Sequence, residues 1–314
     1  MPDKKESQSI SVQKLIAEKR KKGSKKRTEK IIPFILLLTA IVSVFTTLGI
    51  LFTLLVETFT FFSHVSLVEF LTNNTWYPFS DPGEFGIWPL VSGTIRVTGI
   101  AILVAVPIGL AAAIYLSEYA SDRVKRIIKP ILEVLAGIPT IVYGFFALTF
   151  VTPVLQKLIP ELEIFNALSP GLVMGIMITP TIASLSEDAM SAVPDKIRHG
   201  SLGLGATKFE TAMKVVLPAA SSGIIASIVL GISRAIGETM IVSIAGGSTP
   251  NLSFSVTSSI QTMTAYIVQV AQGDAGYGTT IYYSIYAVGF TLFLFTLVMN
   301  LLASWISRRI REEY

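Results

Sequence analysis

Arg234 and Glu238 stand four residues apart in the stretch 220–246, which carries no other charge. That stretch reads as one spanning helix, so both side chains leave the same face. A charge at bilayer depth costs about 2.5–3.5 kcal/mol on insertion scales, so such a pair must face a bundle interior or a wet path. Two chemistries fit. A guanidinium presents a planar fork to an oxyanion, and a nearby carboxylate weakens its hold enough for the anion to leave again. The alternative is a structural ion pair that pins helices together.

The elements that must position these groups follow from composition. Of 314 residues, 51% are hydrophobic and 15% charged, values that indicate an all-α, polytopic membrane protein. A spanning helix needs roughly 20 mostly apolar residues. Six segments qualify: 31–56, 91–117, 131–155, 169–190, 220–246 and 281–306. The second, third and fourth contain Pro107, Pro139 and Pro180, which implies kinks or broken ends inside a bundle. Lys and Arg concentrate in 1–30, 119–130, 191–219 and 307–314, which together hold 22 of the 25. Those connections alternate along the chain, so they belong in the cytoplasm together with both termini. The expected organisation is a basic cytoplasmic segment (1–30), a transmembrane domain (31–306) and a cytoplasmic tail (307–314). Trp76, Trp88 and Trp305 are expected at the membrane interfaces.

Several function classes drop out. The chain has no G-x-x-x-x-G-K-[ST] phosphate loop, so it is not expected to hydrolyse ATP alone. Its two histidines, His64 and His199, fall on opposite sides of the membrane in this topology and cannot share a metal. With no Cys, thiol catalysis and disulfides are excluded. No catalytic motif, cofactor site or metal site is expected. The basic N-terminus reads as an anchor beside anionic membrane lipid rather than as a nucleic-acid site.

The cytoplasmic loop 195–218 is too polar to span and too patterned to be a random connection. Asp195 can cap a first short helix after Pro194. Leu202 and Leu204 offer apolar contacts. Gly205 permits the left-handed turn that ends this helix. Thr207 and Glu210 have the spacing of a capping box for a second helix. Phe209, Met213 and Val216 place apolar groups at i, i+4 and i+7, and Pro218 suits the first turn of the next span. Such a hairpin either docks a protein partner or lies on lipid.

This segment resembles the coupling motif of ABC-importer permeases, an acidic-Ala-Ala start followed by a Gly and, about twelve residues later, Leu-Pro. Gly205, Leu217 and Pro218 match, whereas His199-Gly-Ser replaces the start. Leu135-Ala-Gly-Ile-Pro-Thr-Ile-Val-Tyr-Gly, Thr179-Pro-Thr, Ser186-Glu-Asp and Ser233-Arg-Ala-Ile-Gly-Glu-Thr-Met are similar to the permeases of the phosphate importer, and most like their PstC-type subunit. The resemblance implies a type I, MetI-like permease fold in the bacterial cytoplasmic (inner) membrane. It implies a sister permease, a dimer of ATP-hydrolysing subunits, an extracytoplasmic phosphate-binding protein and inorganic phosphate as partners. It also implies that Arg234 and Glu238 line the substrate pathway, and that Gly205, Thr207, Phe209, Leu217 and Pro218 couple to the ATPase.

Other charges are expected to play local parts. Glu133 reads as a pairing or inner-gate residue, Glu187 and Asp188 as cytoplasmic surface, and Arg96 as a side chain snorkelling at the outer mouth. Gly273–Gly278 reads as an outer turn. The competing functions are a permease for another oxyanion (molybdate or sulfate), an ion-coupled secondary transporter using Glu238 and Glu133, and a membrane scaffold.

Overall fold

The structure is a computed structural model. It describes the backbone of residues 25–310 and the side chains of residues 31–306 other than residue 274. Residues 1–24 of the expected basic segment and 311–314 of the expected tail lie outside the described residues. The chain forms two compact units, 1–53 and 54–314, divided within the first helix, Lys25–Phe62. The described part of the first unit is apolar helix. The second unit holds all other elements.

Among the described residues, five helices are long and apolar enough to cross a membrane: Ile31–Phe62, Trp88–Tyr119, Thr140–Leu158, Leu168–Ser191 and Thr280–Ile306. A bent pair, Lys208–Ala219 with Ser221–Ile236, makes a sixth if the two count as one span. Five of the expected spans therefore fall on helices of spanning length, the third of them in altered form, and the fifth falls on this bent pair and the short helix after it. The third was expected as one helix over 131–155. Instead, an amphipathic helix Asp122–Gly137 ends at Ile138, whose ψ of 130° is extended, and a new helix Thr140–Phe146 begins after Pro139. The Pro139 ring crowds the preceding residue out of the helical region, which breaks the span there. A π turn (Ala147–Val151) and the helix Thr152–Leu158 complete it. Pro107 and Pro180, by contrast, sit inside unbroken helices.

The fifth span was expected over 220–246. That stretch is instead the helix Ser221–Ile236, the second member of the bent pair, followed by a break at 237–239 and a short helix Met240–Ala245.

The helices Trp88–Ile114 and Leu168–Ser191 form the centre. Glycines let their backbones approach: a Cβ on Gly175 would lie 2.9 Å from the Ala101 carbonyl oxygen and 2.8 Å from Val104 Cβ. Without a hydrophobic drive between helices in lipid, such close small-residue packing holds them together. Ala101, Ala105, Met177, Ile178 and Ile182 are buried there, with Ile241 and Val242 of the broken span against them.

At the opposite end from the Lys- and Arg-rich connections, a two-residue hairpin pairs Trp76 with Phe85. Trp76 is 1% exposed, with ring centroids 4.9 Å from Tyr266 and 5.8 Å from Phe85. It is a core residue rather than the interface residue expected, whereas Trp88 and Trp305 are exposed. Arg96 does not snorkel. It donates to the carbonyls of Asn251 (2.8 Å) and Ser255 (2.9 Å) and to the Asn251 side chain, tying down the connection after the broken span. Gly273 and Gly278 take positive φ in the expected turn.

Gly175→Leu adds apolar surface but has no space to occupy it. It should lower the unfolding midpoint of the detergent-purified protein by the equivalent of about 1–3 kcal/mol. Gly99→Leu, where an added Cβ meets nothing within 4 Å, should leave the midpoint unchanged.

Candidate functional site

Arg234 lies in the last turn of Ser221–Ile236, half-buried, and its Nη1 donates to Thr181 Oγ1 at 2.9 Å. Thr181 follows Pro180 on the central helix Leu168–Ser191. Glu238 corrects the sequence reading. Because the helix ends at Ile236, Arg234 and Glu238 do not share a helical face, and no ion pair joins them among the described residues.

Glu238 instead serves the break. Its Oε1 accepts from the backbone N–H groups of Met240 (3.1 Å) and Ile241 (3.4 Å), the free donors of the second helix. Its own carbonyl accepts from Thr264 Oγ1 at 2.7 Å. The carboxylate is 9% exposed. The helix is interrupted two residues beyond Arg234, and the break is closed by these side-chain bonds together with backbone bonds from Gly237 to Ser233 (3.2 Å) and from Glu238 to Ala235 (3.2 Å). Such broken spans are where membrane proteins place ion and substrate sites.

A cavity of about 360 Å³ opens beside Thr181, between Leu168–Ser191 and the amphipathic helix Asp122–Gly137. Leu116, Leu132, Pro180 and Leu230 give it apolar walls, and Lys129, Glu133 and Ser184 give it polar ones. Glu133, expected as a pairing or gate residue, is exposed at this cavity and appears in no ion pair among the described residues. Lys129 pairs with Glu187 and, at 3.5 Å, with Asp188. Glu187 also accepts from Ser191 Oγ at 2.9 Å. The hydrogen bond to Glu187 holds the Lys129 ammonium above its ordinary value, so it is fully charged at neutral pH. Asp188 is surface, as expected. Glu187, 2% exposed, is not.

Arg198, which sequence reasoning passed over, organises the basic end. It donates to the carbonyls of Met190 (2.7 Å) and Val193, at and just beyond the end of Leu168–Ser191, where the Met190 carbonyl also accepts from Val193 N–H at 3.1 Å. It also pairs with Glu118 at 3.3 Å and Asp195 at 3.1 Å. One guanidinium thus joins the ends of two central spans to the first helix of the loop, Asp195–Gly203. Asp195 makes no capping bond, since Pro194 holds the cap position; its carboxylate is taken by Arg198 instead. The signal was present only as a basic residue three positions after an acidic one, a spacing too common to single out.

The rest of the loop follows its sequence closely. Gly205 has φ +88°, and the bonds Gly205 N–H to Leu202 O (3.0 Å) and Ala206 N–H to Ser201 O (3.2 Å) close the helix in the six-to-one, five-to-two pattern. The Thr207–Glu210 capping box forms. Ser201 and Thr211 hydroxyls join the two helices at 2.9 Å, which gives part of the His199-Gly-Ser start a structural role. The apolar stripe, however, divides. A π turn over Ala212–Val216 inserts one residue and rotates the register, so Val216 is buried while Phe209 (64%) and Met213 (39%) remain exposed. Leu204 is 92% exposed rather than packed. After Leu217 and Pro218 the chain bends by 72° into Ser221–Ile236.

The family model for the binding-protein-dependent transport system inner membrane component matches residues 105–312. The chain belongs to that family, and is a multi-pass membrane protein of it. It is 35% identical over 245 residues to a probable ABC transporter permease, YqgH, of Bacillus subtilis, covering 78% of this chain and 79% of that one. It is 31% identical over 319 residues to a probable phosphate transport system permease, PstC, of Methanocaldococcus jannaschii, covering 92% and 97%. In fold it is similar to a chain of a bacterial ABC transporter involved in alginate import (TM-score 0.63, 17% identity, 91% of this chain and 100% of that one). It is likewise similar to a chain of the inward-facing MetNI methionine transporter (TM-score 0.55, 17% identity, 72% and 98%). The architecture is the expected MetI-like importer permease.

Arg198→Met should leave the buried Glu118 carboxylate without its cation and the Val193 carbonyl without its side-chain donor. Losing one partner of such a buried set should cost about 3 kcal/mol, read as a lower unfolding midpoint together with faster protease cleavage near Gly205. Arg198→Met with Glu118→Gln should recover part of the loss.

Proposed function

We propose that this chain is a PstC-type permease subunit of an ATP-driven phosphate importer. Arg234 carries the reading. It is a lone guanidinium at the break of a span, bonded to a single hydroxyl and half-buried beside a cavity. A planar fork in that setting suits a tetrahedral oxyanion, and several relatives of the same family bear phosphate permease names.

In this mechanism a loaded extracytoplasmic binding protein docks on the connections 57–90, 156–168 and 247–280. ATP binding closes a dimer of ATP-hydrolysing subunits, which holds the loop 195–218 through Gly205, Thr207, Phe209, Leu217 and Pro218. The exposed Leu204, Phe209 and Met213 supply the apolar contact. Because Arg198 ties that loop to Met190, Val193 and Glu118, its movement is passed directly to the two central spans. A sister permease completes the pathway, phosphate passes Arg234, and Glu238 holds open the turn beside it. Both termini are cytoplasmic, and the chain itself catalyses no reaction. The fork does not discriminate among tetrahedral oxyanions, so selectivity resides mainly in the binding protein, and molybdate or sulfate is the competing substrate.

Labelled-phosphate uptake in a permease-deficient strain, with arsenate, sulfate and molybdate as competitors, tests the reading. Only arsenate should compete strongly. Competition by molybdate or sulfate instead would change the substrate, and phosphate movement by this chain alone in liposomes under a proton gradient would replace the importer with a secondary transporter. Arg234→Gln should abolish uptake while the ATPase still co-purifies; normal uptake removes Arg234 from the path. Gly205→Val cannot adopt φ +88° without strain. It should lose the ATPase or separate ATP hydrolysis from uptake, and unchanged coupling would exclude the docking role.

A further inference from the structure

We infer that Lys129 is a second cation on the anion's route, standing at the exit of the cavity beside Arg234 and latched there by Glu187. The inference rests on the anion-importer reading. One void touches both Thr181, which is the Arg234 partner, and Lys129. Among the described residues that line it, Lys129 is the only cation, and most of the others are apolar. An anion leaving Arg234 through this space therefore meets Lys129 next.

The helix that carries Lys129 continues the route. Lys125, Lys129 and Glu133 recur every fourth residue of Asp122–Gly137, so they share one face. Glu133 and Lys129 border the first cavity. Lys125 borders a second one, of about 370 Å³, lined by Lys208, His199 and Arg198 and also by the carboxylates of Glu118 and Asp195, with which Arg198 is paired.

The pair itself is unequal in the manner a latch requires. The Glu187 side chain is 3% exposed and also bonded to Ser191, so it is fixed. The Lys129 side chain is 39% exposed on a flexible stem, so it is the member able to turn toward an arriving anion. While no anion is present, Glu187, with Asp188 at 3.5 Å beside it, neutralises Lys129 and the exit offers no free charge. An arriving anion must displace that pairing to pass, so the pair holds the exit shut until the anion's path is otherwise opened.

A purely structural pair would pin Asp122–Gly137 to Leu168–Ser191, and breaking it from either side would have the same effect. A latch predicts opposite effects. The test uses the complete importer in liposomes, with labelled inorganic phosphate and ATPase co-purification as the assembly control. Lys129→Gln should reduce the maximal uptake rate about tenfold, as expected for losing one charge-assisted hydrogen bond, with an unchanged half-saturating concentration of loaded binding protein. Lys129→Arg should keep most of the parent rate. Glu187→Gln should retain uptake and raise nucleotide-free efflux of phosphate from preloaded liposomes.

Equal losses for Lys129→Gln and Glu187→Gln, a normal rate for Lys129→Gln, or no leak from Glu187→Gln would overturn the latch. If Lys129→Gln fails to assemble, the leak of Glu187→Gln and the activity of Lys129→Arg decide the matter. A parent complex that moves no phosphate overturns the importer reading itself, whereas an active parent with an indifferent Lys129 overturns only this step.

Discussion

In a hydrocarbon layer a backbone N–H or C=O without a partner costs several kcal/mol. Much of this structure is arranged around that constraint at one place, the break of the fifth span. Two donors of Met240–Ala245 go to the Glu238 carboxylate, and the Glu238 carbonyl goes to Thr264. Only because those groups are satisfied can the helix stop at Ile236 and leave Arg234 at a helix end, facing Thr181. The close approach of the two central spans, made possible by Gly175, then holds Thr181 in place. A carboxylate that seemed placed to balance Arg234 electrostatically balances the backbone instead, and the Arg is left with its charge available.

The same logic recurs at the basic end. The carbonyls at helix ends need partners, and Arg198 donates to those of Met190 and Val193 while pairing with Glu118 and Asp195. A charged group that both satisfies a helix end and ties it to the next element makes a stiff joint. That stiffness is what a loop needs if displacement at its exposed apolar tip is to reach the spans rather than be absorbed within the loop. The competing picture, a hairpin resting on lipid, explains the exposed Phe209 and Met213 equally well, but it gives no use for a loop fastened so firmly to two central helices.

The family and the membrane-spanning character were legible along the chain, because long apolar runs and the Gly-to-Leu-Pro spacing are local properties. So were the left-handed Gly205 and the Thr207–Glu210 box, whose geometry depends only on residues within one turn. Where a local rule met a second constraint the sequence misled. Four-residue spacing placed Arg234 and Glu238 on one face, but that rule presumes an unbroken helix, and the break is stabilised by Thr264, far away in sequence. The apolar stripe of Phe209, Met213 and Val216 failed at its last member because a π turn shifted the register. Trp76 and Arg96 were assigned to an interface by type, yet Tyr266 and Asn251 claim them.

The sequence alone therefore determined that this is a membrane-spanning permease with a basic loop on one side and an Arg within a span, since hydrophobicity, charge and turn chemistry are written residue by residue. Only the tertiary structure decided which partner each buried charge has. Glu238 to backbone, Arg234 to Thr181, Lys129 to Glu187 and Arg198 to two helix ends are choices made between segments distant in sequence, or forced by a helix ending early. In a medium that offers no water to fall back on, it is the available partner, not the residue type, that sets what a charge can do.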